Sequence, residues 1–383
     1  MHDFRRLLSD IRALNHVSDA DFLALHAPVF RGNEKAYLLD TIDSTFVSSI
    51  GSYVDRFEMM LQDLTGASRA VVCVNGTAAL EMSLILAGVK ADDLVITQAI
   101  SFVATANAVA HLGAEPVFLD IERATLGLDP DAVRTFLETE CAIMSGGCCH
   151  KATGRRVAGC VPMHTFGLPC RVDELAAVCR EWGISLVEDA AEAVGSSRGG
   201  KHCGTTGKLG ALSFNGNKIV TTGGGGAILT NDTDLGVLAK HWTTTAKVPH
   251  KWLYRHDHVG WNFRMPNLNA ALGCAQLEQL PAFVEEKRRR ATAYAKLFAG
   301  TDWEFVQEPE GTISNYWLCA VLTPSREERD AFLEASNAVG VMTRPVWEPL
   351  QTLPMYAECL HDELCVTKDI ADRLVNLPSG VLL

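Results

Sequence analysis

The chain has 383 residues, 48% apolar and 21% charged, which excludes a disordered or fibrous protein and predicts roughly two to three domains. Its 34 basic and 46 acidic side chains leave a formal net charge of −12, so no nucleic-acid partner is expected. No apolar run approaches the roughly 18–20 residues of a membrane span, and residues 1–6 lead into mixed polar sequence without an apolar signal core, so a soluble cytoplasmic protein is expected.

Residues 1–44 read as helices and a connecting segment, with Asn33-Glu34-Lys35 opening a helix at 36–39. From residue 69 onward strand, turn and helix alternate. The apolar run 69–74 is followed by the turn Asn75-Gly76-Thr77 and strong helix formers at 78–86. A strand at 94–96, a helix at 104–112 and a strand at 116–119 come next, then a strand at 157–163, a helix at 175–182 and a strand at 184–187 ending in Glu188-Asp189. Strands at 211–214 and 227–230 flank the glycine run 223–226. Residues 277–297 read as one long charged helix, and Pro345, Pro349 and Pro354 punctuate a later loop. Uninterrupted apolar strands alternating with helices predict an α/β fold with a mainly parallel sheet covered on both faces. The expected division is an N-terminal helical segment at 1–44, a large domain at 45–285 and a smaller C-terminal α+β domain at 286–383. Ligands of such sheets sit at the carboxyl ends of the strands.

Three strand ends carry chemistry. Asn75-Gly76-Thr77 opens a helix whose free amides suit an anion such as phosphate, or form an ordinary cap. Asp189 suits a cation, a metal or a protonated ring nitrogen, or caps a helix starting at Ala190. Lys218 follows the strand at 211–214, between apolar Phe214 and Ile219-Val220 and beside glycines that admit close approach, the setting of a lysine that forms a Schiff base. A phosphate cradle, a carboxylate for a pyridine nitrogen and such a lysine together match the needs of pyridoxal phosphate.

The segments 75–80, 101–107, 187–191, 213–218 with the following glycines, and 260–266 run in one order and cover nearly the whole chain. In these the sequence resembles the DegT-type sugar-nucleotide aminotransferases, vitamin B6 enzymes of fold type I. The segments 33–35, 44–51, 213–218 and 376–379 are most similar to the branch acting on legionaminic-acid and bacillosamine precursors. The resemblance implies pyridoxal 5′-phosphate, cycling through its pyridoxamine form, with L-glutamate as amino donor. It implies a UDP- or GDP-linked 4-keto-6-deoxy sugar, a 2-acetamido-2,6-dideoxy-hexos-4-ulose, as acceptor at C4. Lys218 becomes the catalytic lysine and Asp189 the partner of the pyridinium nitrogen. By the same resemblance Phe102 would stack on the ring, and Gly76, Thr77 and Ser213 would hold the phosphate. Asn262 reaches the phosphate of the neighbouring subunit, which implies a homodimer with shared active sites. Glu192 lies near the ring hydroxyl, where many members carry glutamine or histidine; a carboxylate there repels the phenolic oxygen unless one of them holds a proton. The rival readings are a sugar dehydratase of the same fold, in one type of which histidine replaces the lysine, and a non-catalytic sensor.

Other features carry less. Gly195 to Gly199 satisfies G-x-S-x-G, but a hydrolase elbow must follow a strand, and 190–194 reads as helical. His256-Asp257-His258 lacks a third ligand at a useful spacing, and the twelve cysteines include no C-x-x-C, so they read as free thiols and no metal is expected. The basic run 287–290 reads as a solvated helix face. Arg344 either clamps a substrate carboxylate or diphosphate or makes a structural salt bridge. His164, at another strand end, faces either the sugar or the core.

Overall fold

A computed structural model describes residues 4–382. Seven strands make the principal sheet: β1 Arg69–Cys73, β2 Leu94–Gln98, β3 Glu115–Leu119, β4 Val157–Val161, β5 Ser185–Asp189, β6 Leu209–Ser213 and β7 Gly226–Thr230. Their spatial order is β1-β7-β6-β5-β4-β2-β3, and β7 runs antiparallel to both neighbours while the other pairs are parallel. Every residue of β2, β4, β6 and β7 is buried. That two-sided burial is why these strands read as unbroken apolar runs rather than alternating ones. The expected parallel α/β sheet is therefore present, with one strand reversed.

Helices cover the sheet. After α1 Arg5–Leu14, α2 Glu34–Asp43 and α3 Ser52–Thr65 comes α4 Gly76–Ala87, which packs on β5, β6 and β7 and buries nine of its twelve residues. A helix apolar all round belongs in the interior. Asn75 starts it, its side-chain oxygen accepting from the Ala78 amide at 2.8 Å, and left-handed Gly88 ends it. The later helices are α5 Val103–His111, α6 Pro130–Glu140, α7 Val172–Trp182, α8 Thr233–Thr243, α9 Asn267–Phe298, α10 Arg326–Ala338 and α11 Cys365–Arg373. A second, antiparallel sheet of β8 Glu304–Phe305, β9 Cys319–Leu322, β10 Arg344–Pro345 and β11 Leu374–Leu377 has the order β8-β9-β11-β10.

Helix α9 starts ten residues before the expected charged helix and runs 32 residues, so the boundary drawn at 285/286 falls inside it. Its first half packs against α2 and α3, and its second against the C-terminal sheet. The basic run 287–290 is solvated only in part: Arg289 is exposed and Arg288 half-buried, but the other two are not. Lys287 is 0% and Arg290 2% exposed, because the spacing 287, 290, 291, 294, 298 puts them on the side of Ala291, Tyr294 and Phe298. The Lys287 ammonium donates to the carbonyls of Tyr316, Trp317 and Ser379, and Arg290 to Asn15. Burial lowers the Lys287 amine to about 7. The N-terminal segment does not stand apart either: Leu23 pairs in parallel with Val341, and the Ser379 amide donates to Leu25. All twelve cysteines are free thiols, ten of them buried. Among the described residues no helix is long and apolar enough to cross a membrane.

Candidate active site

The register of the sheet brings the strand ends together. Cys73 of β1 and Ser213 of β6 both pair with Gly226, and Ala211 pairs with Asp189. The start of α4 therefore sits against the end of β6. Two glycines make this possible. A Cβ on Gly76 would lie 2.8 Å from the Ser213 Cβ, and one on Gly226 would lie 2.4 Å from the Asn75 carbonyl oxygen. Either side chain would push the helix start away from the strand. A cavity of about 410 Å³ opens there, lined by Asn75, Gly76, Thr77, Phe102, Met163, Asp189, Glu192, Ser213, Asn215, Asn217 and Lys218, with Trp317 and Trp347 reaching in from the C-terminal unit.

Asp189 is 2% exposed. Its two oxygens accept from the Thr105 hydroxyl at 2.7 Å and the Ala191 amide at 3.1 Å, so its hydrogen-bond partners are neutral. Burial raises its carboxyl above the usual range, against the pull of those two bonds. A buried carboxylate in that state is completed by a cationic donor such as a protonated ring nitrogen. The α4 amides beside Ser213 complement a phosphate, and exposed Phe102 offers a ring at the rim, 6.3 Å between centroids from Trp347. These residues fit pyridoxal phosphate. Lys218 Nζ lies 2.9 Å from Glu192 Oε1 and 3.9 Å from the centre of the Trp317 indole. Its neighbours Phe214, Ile219 and Val220 are buried. Glu192 Oε2 accepts from the Phe166 amide at 2.9 Å, and burial raises its carboxyl although Lys218 opposes the shift.

Gly76, Thr77, Phe102, Asp189, Glu192, Ser213 and Lys218 thus share one cavity; the other three expected site residues do not line it. His164 does not face a sugar: it is 0% exposed, with Nε2 2.9 Å from Glu188 Oε2 and Nδ1 accepting from the Cys170 amide. Its neighbour Met163 is the one that lines the cavity, since successive residues of an extended chain point to opposite sides. Burial alone would raise the Glu188 carboxyl, but His164 and the amides of Gly207 and Gly204 hold it below the usual range. Among the described residues Arg344 makes no salt bridge: it is exposed and donates from Nη1 to Asn337 Oδ1 and the Thr343 carbonyl, both at 2.9 Å. It lines an adjoining chamber of about 490 Å³ that shares Asn217, Trp317 and Trp347 with the cavity. Asn262 is exposed and accepts from Arg264 Nε at 2.9 Å, away from its own chain's cavity.

Residues 190–196 form turns, not the expected helix, and Ser197 sits in a two-residue strand, so the strand-turn-helix of a hydrolase elbow is missing there. In that segment the Gly195 amide donates to buried His202 Nε2 at 2.8 Å, while His202 Nδ1 bonds the Cys203 carbonyl at 2.6 Å. Burial lowers this imidazole from 6.5 to about 4. Between those pH values the unfolded chain holds the extra proton, so stability falls as the pH drops through the window. We expect urea unfolding to show a loss of up to about 3 kcal/mol from pH 7 to pH 4, with His202→Asn flattening this acid limb. An unchanged acid limb in the variant would assign it to other groups.

Residues 29–383 match the family described as the DegT/DnrJ/EryC1/StrS aminotransferase family. The chain is 33% identical over 358 residues to GDP-perosamine synthase of Escherichia coli O157:H7, covering 94% of this chain and 93% of the relative. It is 32% identical to dTDP-4-dehydro-2,3,6-trideoxy-D-glucose 4-aminotransferase of Saccharopolyspora spinosa, over 92% and 91% of the two chains. The structure of the aminotransferase TlmJ from Streptoalloteichus hindustanus superposes with a TM-score of 0.85 at 29% identity, covering 94% of each chain.

Proposed function

Because the chain belongs to the DegT/DnrJ/EryC1/StrS aminotransferase family, whose cofactor is pyridoxal phosphate, we propose that it moves the amino group of L-glutamate to C4 of a nucleotide-linked 4-keto-6-deoxy sugar. The acceptor proposed is a UDP- or GDP-2-acetamido-2,6-dideoxy-hexos-4-ulose, and the 4-amino product serves nonulosonate or glycan synthesis such as the legionaminic-acid route. The observation that carries the reading is the meeting of Lys218, Asp189 and the α4 amides in one cavity. The choice of a sugar acceptor leans on the two named relatives.

When bound, the cofactor supplies an electron sink conjugated to the reacting carbon. The protein's residues do the rest. The amides of Gly76 and Thr77 and the Ser213 hydroxyl bind the phosphate, so a chain of net charge −12 holds an anion by local dipoles. Asp189 would keep the ring nitrogen protonated, and Phe102 would offer its ring to the cofactor's face. Lys218 Nζ would be the group that takes up and returns the proton at the reacting carbon. Glu192 would lie near the ring hydroxyl, where a proton held between the two oxygens would relieve their repulsion. Asn262 of the partner subunit completes the phosphate site in a homodimer; exposed Phe46, Val47, Ile50, Trp252, Leu253 and Tyr254 supply apolar surface for such contact.

Visible spectroscopy tests the reading one half-reaction at a time. Glutamate is expected to bleach the yellow enzyme, and one keto sugar nucleotide among the UDP- and GDP-linked candidates to restore the colour while yielding an amino sugar. Bleaching by glutamate with no recovery from any 4-keto sugar would discard the acceptor. A deoxygenated product without amine would replace transfer by dehydration.

A further inference from the structure

Two groups hold the Lys218 amine, the Glu192 carboxylate at 2.9 Å and the face of the Trp317 indole at 3.9 Å. Trp317 comes from the C-terminal unit and is 4% exposed. Its placement is over-determined. The indole N–H donates to the Asn217 carbonyl at 2.7 Å, the backbone N–H to Asn315 Oδ1 at 2.8 Å, and its carbonyl accepts from the buried Lys287 ammonium at 3.0 Å. Asn315 Nδ2 in turn donates to the Glu192 and Val194 carbonyls, both at 2.9 Å, so one amide side chain ties together the backbones of both groups around Lys218. Between them Tyr316 takes a φ of +45°, costly for an aromatic residue, and Lys287 also holds its carbonyl at 3.3 Å. Simple packing of an indole needs neither the strained turn nor the buried lysine. A cation over an aromatic face is attracted by the ring's quadrupole.

We propose that Trp317 is a positioning residue: with Glu192 it forms a berth where the Lys218 amine rests whenever it is not bonded to the cofactor, so that the amine stays aimed at the reacting carbon. In a transamination cycle the lysine is displaced when the donor amine takes its place and must return before the next turnover, so a berth shortens the search for the productive orientation. The inference rests on Lys218 being the catalytic lysine.

The test uses the dimer or monomer as purified, loaded with pyridoxamine phosphate so that Lys218 is free. Amines are methylated with formaldehyde and cyanoborohydride, and the Lys218 peptide is quantified against the other lysines by mass spectrometry. Trp317→Leu is expected to raise the Lys218 labelling rate roughly two- to thirtyfold, the range of a cation–aromatic contact, with Trp317→Phe recovering most of the protection. In turnover, Trp317→Leu is expected to lower kcat while the glutamate KM stays within about twofold. Should Trp317→Leu fail to hold cofactor, fluorinated tryptophan in place of all seven tryptophans keeps the shape and weakens the π face, and faster labelling of Lys218 is again expected. Labelling of Lys218 that is unchanged in both overturns the berth. Failure of the catalytic assignment reads differently: borohydride treatment of the wild-type pyridoxal form would then leave no cofactor on the Lys218 peptide.

Discussion

Lys218→Ala is expected to fold, to bind cofactor and to lose more than about 10³ in kcat, because the group proposed to carry the proton at the reacting carbon is gone. The side chain is 12% exposed and its pairing carboxylate, Glu192, 1%. Removing the amine leaves a buried carboxylate without its cation. The Glu192 carboxyl, already raised by burial, then rises further. Far-ultraviolet circular dichroism should match the wild type, and borohydride should no longer fix the cofactor to the chain. Turnover of glutamate and keto sugar at the wild-type rate in Lys218→Ala would refute the catalytic assignment.

The second large effect is expected at Asp189. Asp189→Asn keeps the size of the side chain and its contact with the Ala191 amide but removes the charge proposed to face the ring nitrogen. A ring nitrogen that is no longer held protonated withdraws electrons poorly, and a loss of about 10²–10³ in kcat is expected, comparable to deleting one buried charge-stabilising group. Cofactor affinity supplies an independent check. The Asp189 carboxyl is raised by burial, so acidification neutralises it and weakens cofactor binding. The wild-type dissociation constant should climb as the pH falls, and Asp189→Asn should start high and stay flat. A parallel climb in the variant would locate the titrating group elsewhere.

Much of this site could be read in the chain before any coordinates. Asn75-Gly76-Thr77, Asp189 and Ser213 to Lys218 lie at the ends of short apolar strands, where a parallel sheet gathers its ligands, and all of them but Phe214 and Gly216 line the cavity. The misreadings come from side-chain direction, which a residue's address does not contain. His164 and Met163 differ by one position, and the extended backbone turns one inward to Glu188 and the other to the cavity. Lys287 and Arg290 look like surface charges in a basic run, yet helical period sets them beside Tyr294 and Phe298. Trp317 and Trp347 had no local signal at all. They matter because the C-terminal unit folds back over the strand ends, a contact between segments far apart in sequence. Asn215 and Asn217 stand in the same motif as Lys218, where nothing in the sequence sets them apart.

The strand order has a consequence for how the protein is made. Strand β1 is among the first core segments to leave the ribosome, but its neighbour in the sheet is β7, and the α4 turn that follows β1 rests on Ser213 and Gly226. Until those later residues are synthesised, an apolar strand and an apolar helix wait without their partners, the non-local situation that slows folding and invites aggregation. Lys218 then emerges well ahead of Trp317 and Trp347. At about 5–20 residues per second, the interval between Lys218 and Trp347 lasts roughly 6–26 s. During that time Lys218 stands without the two indoles that wall its cavity, so the cavity closes only once the C-terminal unit has been made.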